Sequence, residues 1–126
     1  MPAQKPAPDF QPVFEELKKL VEPYAGRVLK PHAKPGDYIL IGPPTPRSRG
    51  REVWFGGVQI KKNYVSYHLM AVYAFPDLLD GLSPELKKRM QGKSCFNFKT
   101  VDKALFKELG ALTKRGYQRF KKEGLV

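Results

Sequence analysis

Two side chains in this sequence have the chemistry of a nucleophile and its base: Cys95 and His68. A thiol attacks as the thiolate, and an imidazole within hydrogen-bond reach is its usual proton acceptor. Cys95 stands between Ser94 and Phe96, and His68 between Tyr67 and Leu69. Period-two alternation puts both on the less apolar face of their strands, where they could line one ligand cleft. The residues drawn to that cleft are Trp54, Tyr67, His68, Lys93, Cys95 and Asn97. No third residue stands out to orient the imidazole, so the pattern alone favours a structural thiol and a hydrogen-bonded histidine over a catalytic pair. A metal site from His32, His68 and Cys95 would need distant segments to converge. The chain has no P-loop, dinucleotide fingerprint, CxxC or HExxH pattern.

Charge offers a second kind of chemistry. The formal net charge is +11, and it is unevenly spread. Residues 1–26 carry three basic and four acidic groups, whereas residues 27–63 carry eight basic and two acidic ones. A field of this sign favours polyanions such as nucleic acid or an acidic protein. The candidate contacts are Arg47, Arg49 and Arg51 in a proline-rich loop, with Lys61 and Lys62 in a turn. Trp54, Tyr64, Tyr67 and Tyr73 lie nearby in sequence and offer either packing or a stacking platform for a planar ligand. The bland alternative is a solvated surface. Lys103, Lys107, Lys114 and Lys121 recur along one helix face and read that way.

The elements that must position these groups follow from periodicity. Phe10, Val13, Phe14, Leu17, Leu20 and Val21 share one side of a helix from about 10 to 22, with Asp9 as cap and Pro23 as stop. Residues 1–8 read as a loose tail and residues 9–126 as one domain. Tyr38 to Ile41 reads as a short buried strand after a Pro35-Gly36-Asp37 turn. Residues 42–50 hold three prolines and read as an exposed, mobile loop. Residues 51–60 and 64–73 read as a hairpin, with Lys61-Lys62-Asn63 as a tight turn in which Asn63 tolerates a positive φ, and Gly56-Gly57 marking a bulge or a close backbone approach. Ser83 caps a short helix reaching about Met90, Ser94 to Phe98 forms a strand, and Asp102 caps a last helix reaching about Lys122. This order predicts an α+β fold: an antiparallel sheet packed against N- and C-terminal helices.

Length and composition agree with one soluble domain. A chain of 126 residues can bury a core without disulfides, and a single cysteine rules out an intramolecular one. The apolar run from Leu69 to Phe75 is far short of the ~20 residues a membrane helix needs. With no apolar stretch at the N-terminus and one free thiol, the expected compartment is the cytoplasm.

Lys62-Asn63-Tyr64-Val65-Ser66-Tyr67-His68 resembles the hairpin of the YdhG-like family, a frataxin-like group long labelled a domain of unknown function. The short helix, the Gly92-Lys93 turn, the strand Ser94 to Phe98 and the closing helix resemble that family's order as well. The resemblance covers roughly residues 51–122, and the first helix more loosely. It implies a frataxin-like α+β sandwich acting as a non-enzymatic binding or carrier protein. Because some members are described as iron chaperones, it also implies iron as cargo. Carboxylates would hold iron, and the candidates are Glu15 and Glu16. The residues themselves suggest no cofactor. Polyanion binding through the basic loop and turn is the alternative, and a small-molecule enzyme built on His68 and Cys95 is a third reading.

Overall fold

The computed structural model describes residues 10–26, 28–46, 48–92 and 94–125. Its element order is α1 (Gln11–Val21), β1 (Lys30–Lys34), β2 (Asp37–Gly42), β3 (Val53–Ile60), β4 (Val65–Leu69), α2 (Met70–Ala74), α3 (Pro84–Lys87), β5 (Met90–Gln91), β6 (Cys95–Phe98) and α4 (Lys103–Lys122). Single 3₁₀ turns at Glu22–Tyr24 and Pro76–Leu79 link them. The strands make one antiparallel sheet in the order β1-β2-β3-β4-β6-β5. The expected α+β class, an antiparallel sheet under N- and C-terminal helices, is the fold observed.

Alternation explains why helices cover one face. Tyr38 and Leu40 of β2, Val58 of β3, Val65, Tyr67 and Leu69 of β4, and Phe96 and Phe98 of β6 are buried together. They meet Phe14, Leu17 and Val21 of α1 and Phe106, Leu109, Leu112 and Phe120 of α4 in the same cluster. Phe55 packs edge-on to Tyr117 and Phe120, and Phe98 edge-on to Phe106. Such tilted rings add modestly to the area they remove from water.

Asp102 caps α4 by accepting from the Leu105 amide at 3.0 Å. Ser83 caps α3, and its own N–H and hydroxyl both donate to Glu108 of α4. Gly116 lets α4 sit against α2, since a Cβ there would lie 2.8 Å from the Ala71 Cβ.

Several expectations are corrected. The strand expected to reach Tyr73 ends at Leu69, and the chain turns into α2. A continuous apolar run carries no clear period, and burial of Ala71 and Val72 decides for helix. The short helix ends at Lys87, because the Arg89 carbonyl accepts from the Asn97 amide at 2.8 Å and draws Met90 into the edge strand β5. Strand β1 was not expected: all five of its residues are exposed, so no apolar alternation announces it. Asn63 turns without a positive φ; among the described residues Arg49 is the non-glycine residue that takes one. The loop before β3 is exposed over most of its described residues, as expected, and the Ser48 hydroxyl accepts from the Thr45 amide and donates to the Arg51 carbonyl. Phe10 occupies the N-cap position of α1. The expected cap Asp9 and the tail at 1–8 lie outside the described residues.

Candidate functional site

The face of the sheet turned away from the helices carries the polar residues of each strand. Cross-strand register sorts them into rungs. One rung runs His32, Ile39, Gly57, His68, Cys95 and Gln91 from β1 to β5. The next runs Lys34, Asp37, Gln59, Ser66 and Asn97. The Gly56-Gly57 step works as the sequence suggests. The β2–β3 register shifts beside it, so Leu40 faces Gly56 while Ile41 faces Trp54. A Cβ on Gly57 would lie 2.5 Å from the Tyr38 carbonyl oxygen, so only glycine allows this approach.

His68 and Cys95 do come together. Nδ1 and Sγ stand 3.0 Å apart. Burial, then the charge of Lys61, lowers the His68 pKa below its ordinary 6.5, against a smaller opposing pull from Asp37. The imidazole is therefore neutral at pH 7. Among the described residues its Nε2 is buried without a hydrogen-bond partner, as are one oxygen of Asp37 and the amide oxygen of Asn97 on the same face. Gln59 donates to the other Asp37 oxygen at 3.2 Å, and Asn97 donates to Gln91 at 2.6 Å.

The rest of the expected cleft divides. Asn97 lies on this face beside Cys95. Trp54 is half exposed and shares the face, beyond the Ile39–Gly57 rung. Tyr67 does not belong: it is wholly buried on the helix side, where its hydroxyl meets Thr113 at 2.7 Å. It points opposite to His68 because strand neighbours alternate. Lys93 lies outside the described residues. His32 shares a rung with His68 but stands three strands away, roughly 14 Å at ordinary strand spacing, so the imagined His–His–Cys metal site does not form. Among the described residues no three of His, Cys, Asp and Glu gather as metal ligands. On α1, Glu16 pairs with Lys19 at 2.9 Å and Glu15 accepts from Gln11 at 2.7 Å.

The expected basic patch also divides. Arg49 and Arg51 precede β3 and Lys61 follows it. A strand of eight residues separates them, about 25 Å at the usual rise. Arg47 lies outside the described residues. Lys61 and Lys62 instead sit next to Tyr64, at the end of the sheet where a different cationic surface begins.

That surface was missed by sequence reasoning. Two adjoining hollows of about 320 and 300 Å³ share Lys88, Arg89 and Lys99. Tyr64, Gln91 and Asn97 line one, and Glu85, Asp102 and Leu105 line the other. All three shared cations are exposed, and none forms an ion pair among the described residues. The run Lys87-Lys88-Arg89 was visible as a signal. Reading it as helix through Met90 spread its charges around an axis and hid their convergence with Lys99 across β5 and β6. Comparison with protein-family models, curated proteins and solved structures finds no match to this chain.

Proposed function

We propose that this chain is a non-enzymatic, YdhG-like binding domain that holds the phosphate backbone of a nucleic acid in the groove lined by Lys88, Arg89 and Lys99. The observation that carries the reading is the convergence on one concave surface of three cations that form no ion pair among the described residues. Charged side chains that stabilise a fold are usually found with partners, as Arg119 is here with Asp77 and Glu123. Cations held together without partners are costly through mutual repulsion and favourable once a polyanion arrives. Arg89 can pair a phosphate through two N–H groups, and the lysines act as point charges. Tyr64 stands at the edge of the same groove, half-buried, where one ring face can stack a base. Lys61 and Lys62 extend the positive field past it. The lysines along α4 are solvated and contribute only to the overall charge.

Iron handling, which the family resemblance implies, finds less support. Glu15 and Glu16 on α1 are engaged by Gln11 and Lys19, and Glu22 just past the helix is engaged by Lys18.

The test is fluorescence anisotropy with single-stranded and duplex oligonucleotides at two salt concentrations. Binding should weaken with salt, and the Lys88→Ala/Arg89→Ala/Lys99→Ala variant should lower the log–log slope by roughly two to three. The Arg49→Ala/Arg51→Ala variant should bind nearly as wild type. Undetectable wild-type binding, or a triple variant with unchanged slope, would remove the proposal.

A further inference from the structure

We propose that Cys95 is a thiol nucleophile served by His68, and that it exchanges with small-molecule disulfides to carry a reversible mixed disulfide on the outer face of the sheet. This inference is independent of the cationic groove and stands or falls without it.

The pairing is set by the sheet ladder and not by a loop. His68 and Cys95 are register partners on β4 and β6. The Leu69 amide donates to the Ser94 carbonyl at 2.9 Å, one step along. Hydrogen-bonded and non-hydrogen-bonded pairs alternate in antiparallel sheets, so the His68–Cys95 rung is of the second kind. In such rungs the Cα atoms approach to about 4.5 Å and the side chains are closest. The 3.0 Å contact between Sγ and Nδ1 follows from that. The same ladder buries Phe96 and Phe98 on the helix side and leaves the thiol partly accessible on the other.

A second observation separates this pair from a structural one. A histidine kept for structure has both ring nitrogens satisfied, because each orphaned buried polar atom costs stability. Among the described residues Nδ1 meets only the thiol, and Nε2 is buried with no partner. The imidazole is neutral, so Nδ1 can take the thiol proton during attack, and burial and Lys61 keep the imidazolium short-lived, so it gives the proton up readily. Asp37 and Lys61 are the charged groups that act on it, with opposite signs, and Lys61 acts the more strongly.

The chemistry balances with a disulfide as co-reactant. The proton of Sγ–H passes to Nδ1. The thiolate sulfur attacks one sulfur of the disulfide, a new S–S bond to Cys95 forms, and the reagent's own S–S bond breaks. The departing thiolate takes the proton back from the imidazolium and leaves as a free thiol. Cys95 is oxidised, and one sulfur of the reagent is reduced. Excess small thiol reverses the step.

The experiment follows 5,5′-dithiobis(2-nitrobenzoate) reduction by absorbance and the glutathione adduct by intact mass, both at pH 7 with the full chain. Wild type should react faster than N-acetylcysteine at the same pH, and His68→Gln should slow the reaction by about tenfold or more. Cys95→Ser should abolish it. A wild-type rate at or below that of N-acetylcysteine would overturn the proposal, as would a folded His68→Gln variant reacting at the wild-type rate. Should His68→Gln fail to fold, His68→Asn and the N-acetylcysteine comparison decide the same question.

Discussion

The hydroxyl of Tyr67 on β4 donates to the hydroxyl of Thr113 on α4 across 2.7 Å of buried core. The direction is settled by the next link, since Thr113 spends its own proton on the Leu109 carbonyl at 2.8 Å. Burial is the main reason the phenol is held far above its ordinary pKa, so it stays a neutral donor. Thr113→Val keeps the shape but removes the acceptor, leaving a buried O–H unpaired. The expected loss is about 1–3 kcal/mol in urea unfolding, against about 0.5–1.5 kcal/mol for Tyr67→Phe, which leaves Thr113 its bond to Leu109. Equal and negligible losses would show that the bond contributes nothing net.

Gly57 is expected to be the least replaceable glycine of the sheet. A methyl group there would press on the Tyr38 carbonyl, the Ile39 Cα and the Ile39 side chain, all under 3 Å away. Backbone on two sides cannot yield as a flexible side chain could. Gly57→Ala should lower stability by about 1–3 kcal/mol, whereas Gly26→Ala, with open space around it, should change stability little. Thermal unfolding of the two variants side by side checks this.

His68 should make stability depend on mild acid. Folding holds its pKa below the ordinary 6.5, so the unfolded chain takes up a proton first as pH falls. The contribution is complete well above pH 6.5 and is lost as pH drops through that value toward the folded one. Denaturation midpoints measured from pH 8 to pH 5.5 should therefore fall, and His68→Gln should flatten the curve over the same range. A wild-type curve already flat there would place the imidazole in water.

Ferrous iron, titrated anaerobically by calorimetry, should give no stoichiometric heat that depends on Glu15 and Glu16. The lysine and glutamine partners of these carboxylates compete with any cation. A stoichiometric titration lost in Glu15→Ala/Glu16→Ala would instead restore the iron-handling reading.

Most of the core was legible in the sequence because each buried element keeps one period. Phe14, Leu17, Leu109 and Leu112 on helices, and Val65, Tyr67, Leu69, Phe96 and Phe98 on strands, follow directly from it. What stayed hidden depends on tertiary partners. Strand β1 has no apolar face of its own and exists by pairing with β2. The run after Leu69 is apolar at every step, so only its packing on α4 selects helix. The candidate sites show the same division. His68 and Cys95 could be assigned to one face by alternation, yet their pairing is a matter of register across 27 residues of chain. Tyr67 was drawn to the cleft by its chemistry, although its own alternation with His68 places it beneath the sheet. The groove cations required knowing that β5 and β6 fold back on each other.

Strand β1 closes the sheet on one side with Lys30, Pro31 and Lys34, all exposed. An edge with free backbone groups invites another strand to add, and so to build chains into fibres. Proline has no N–H to offer a newcomer, and two ammonium groups repel a second positively charged copy. The opposite edge, β5, is only two residues long and is followed by the Gly92 turn. Neither border gives an incoming strand a long, neutral ladder. At high concentration the proline and the two ammonium groups thereby keep the sheet from growing by edge addition.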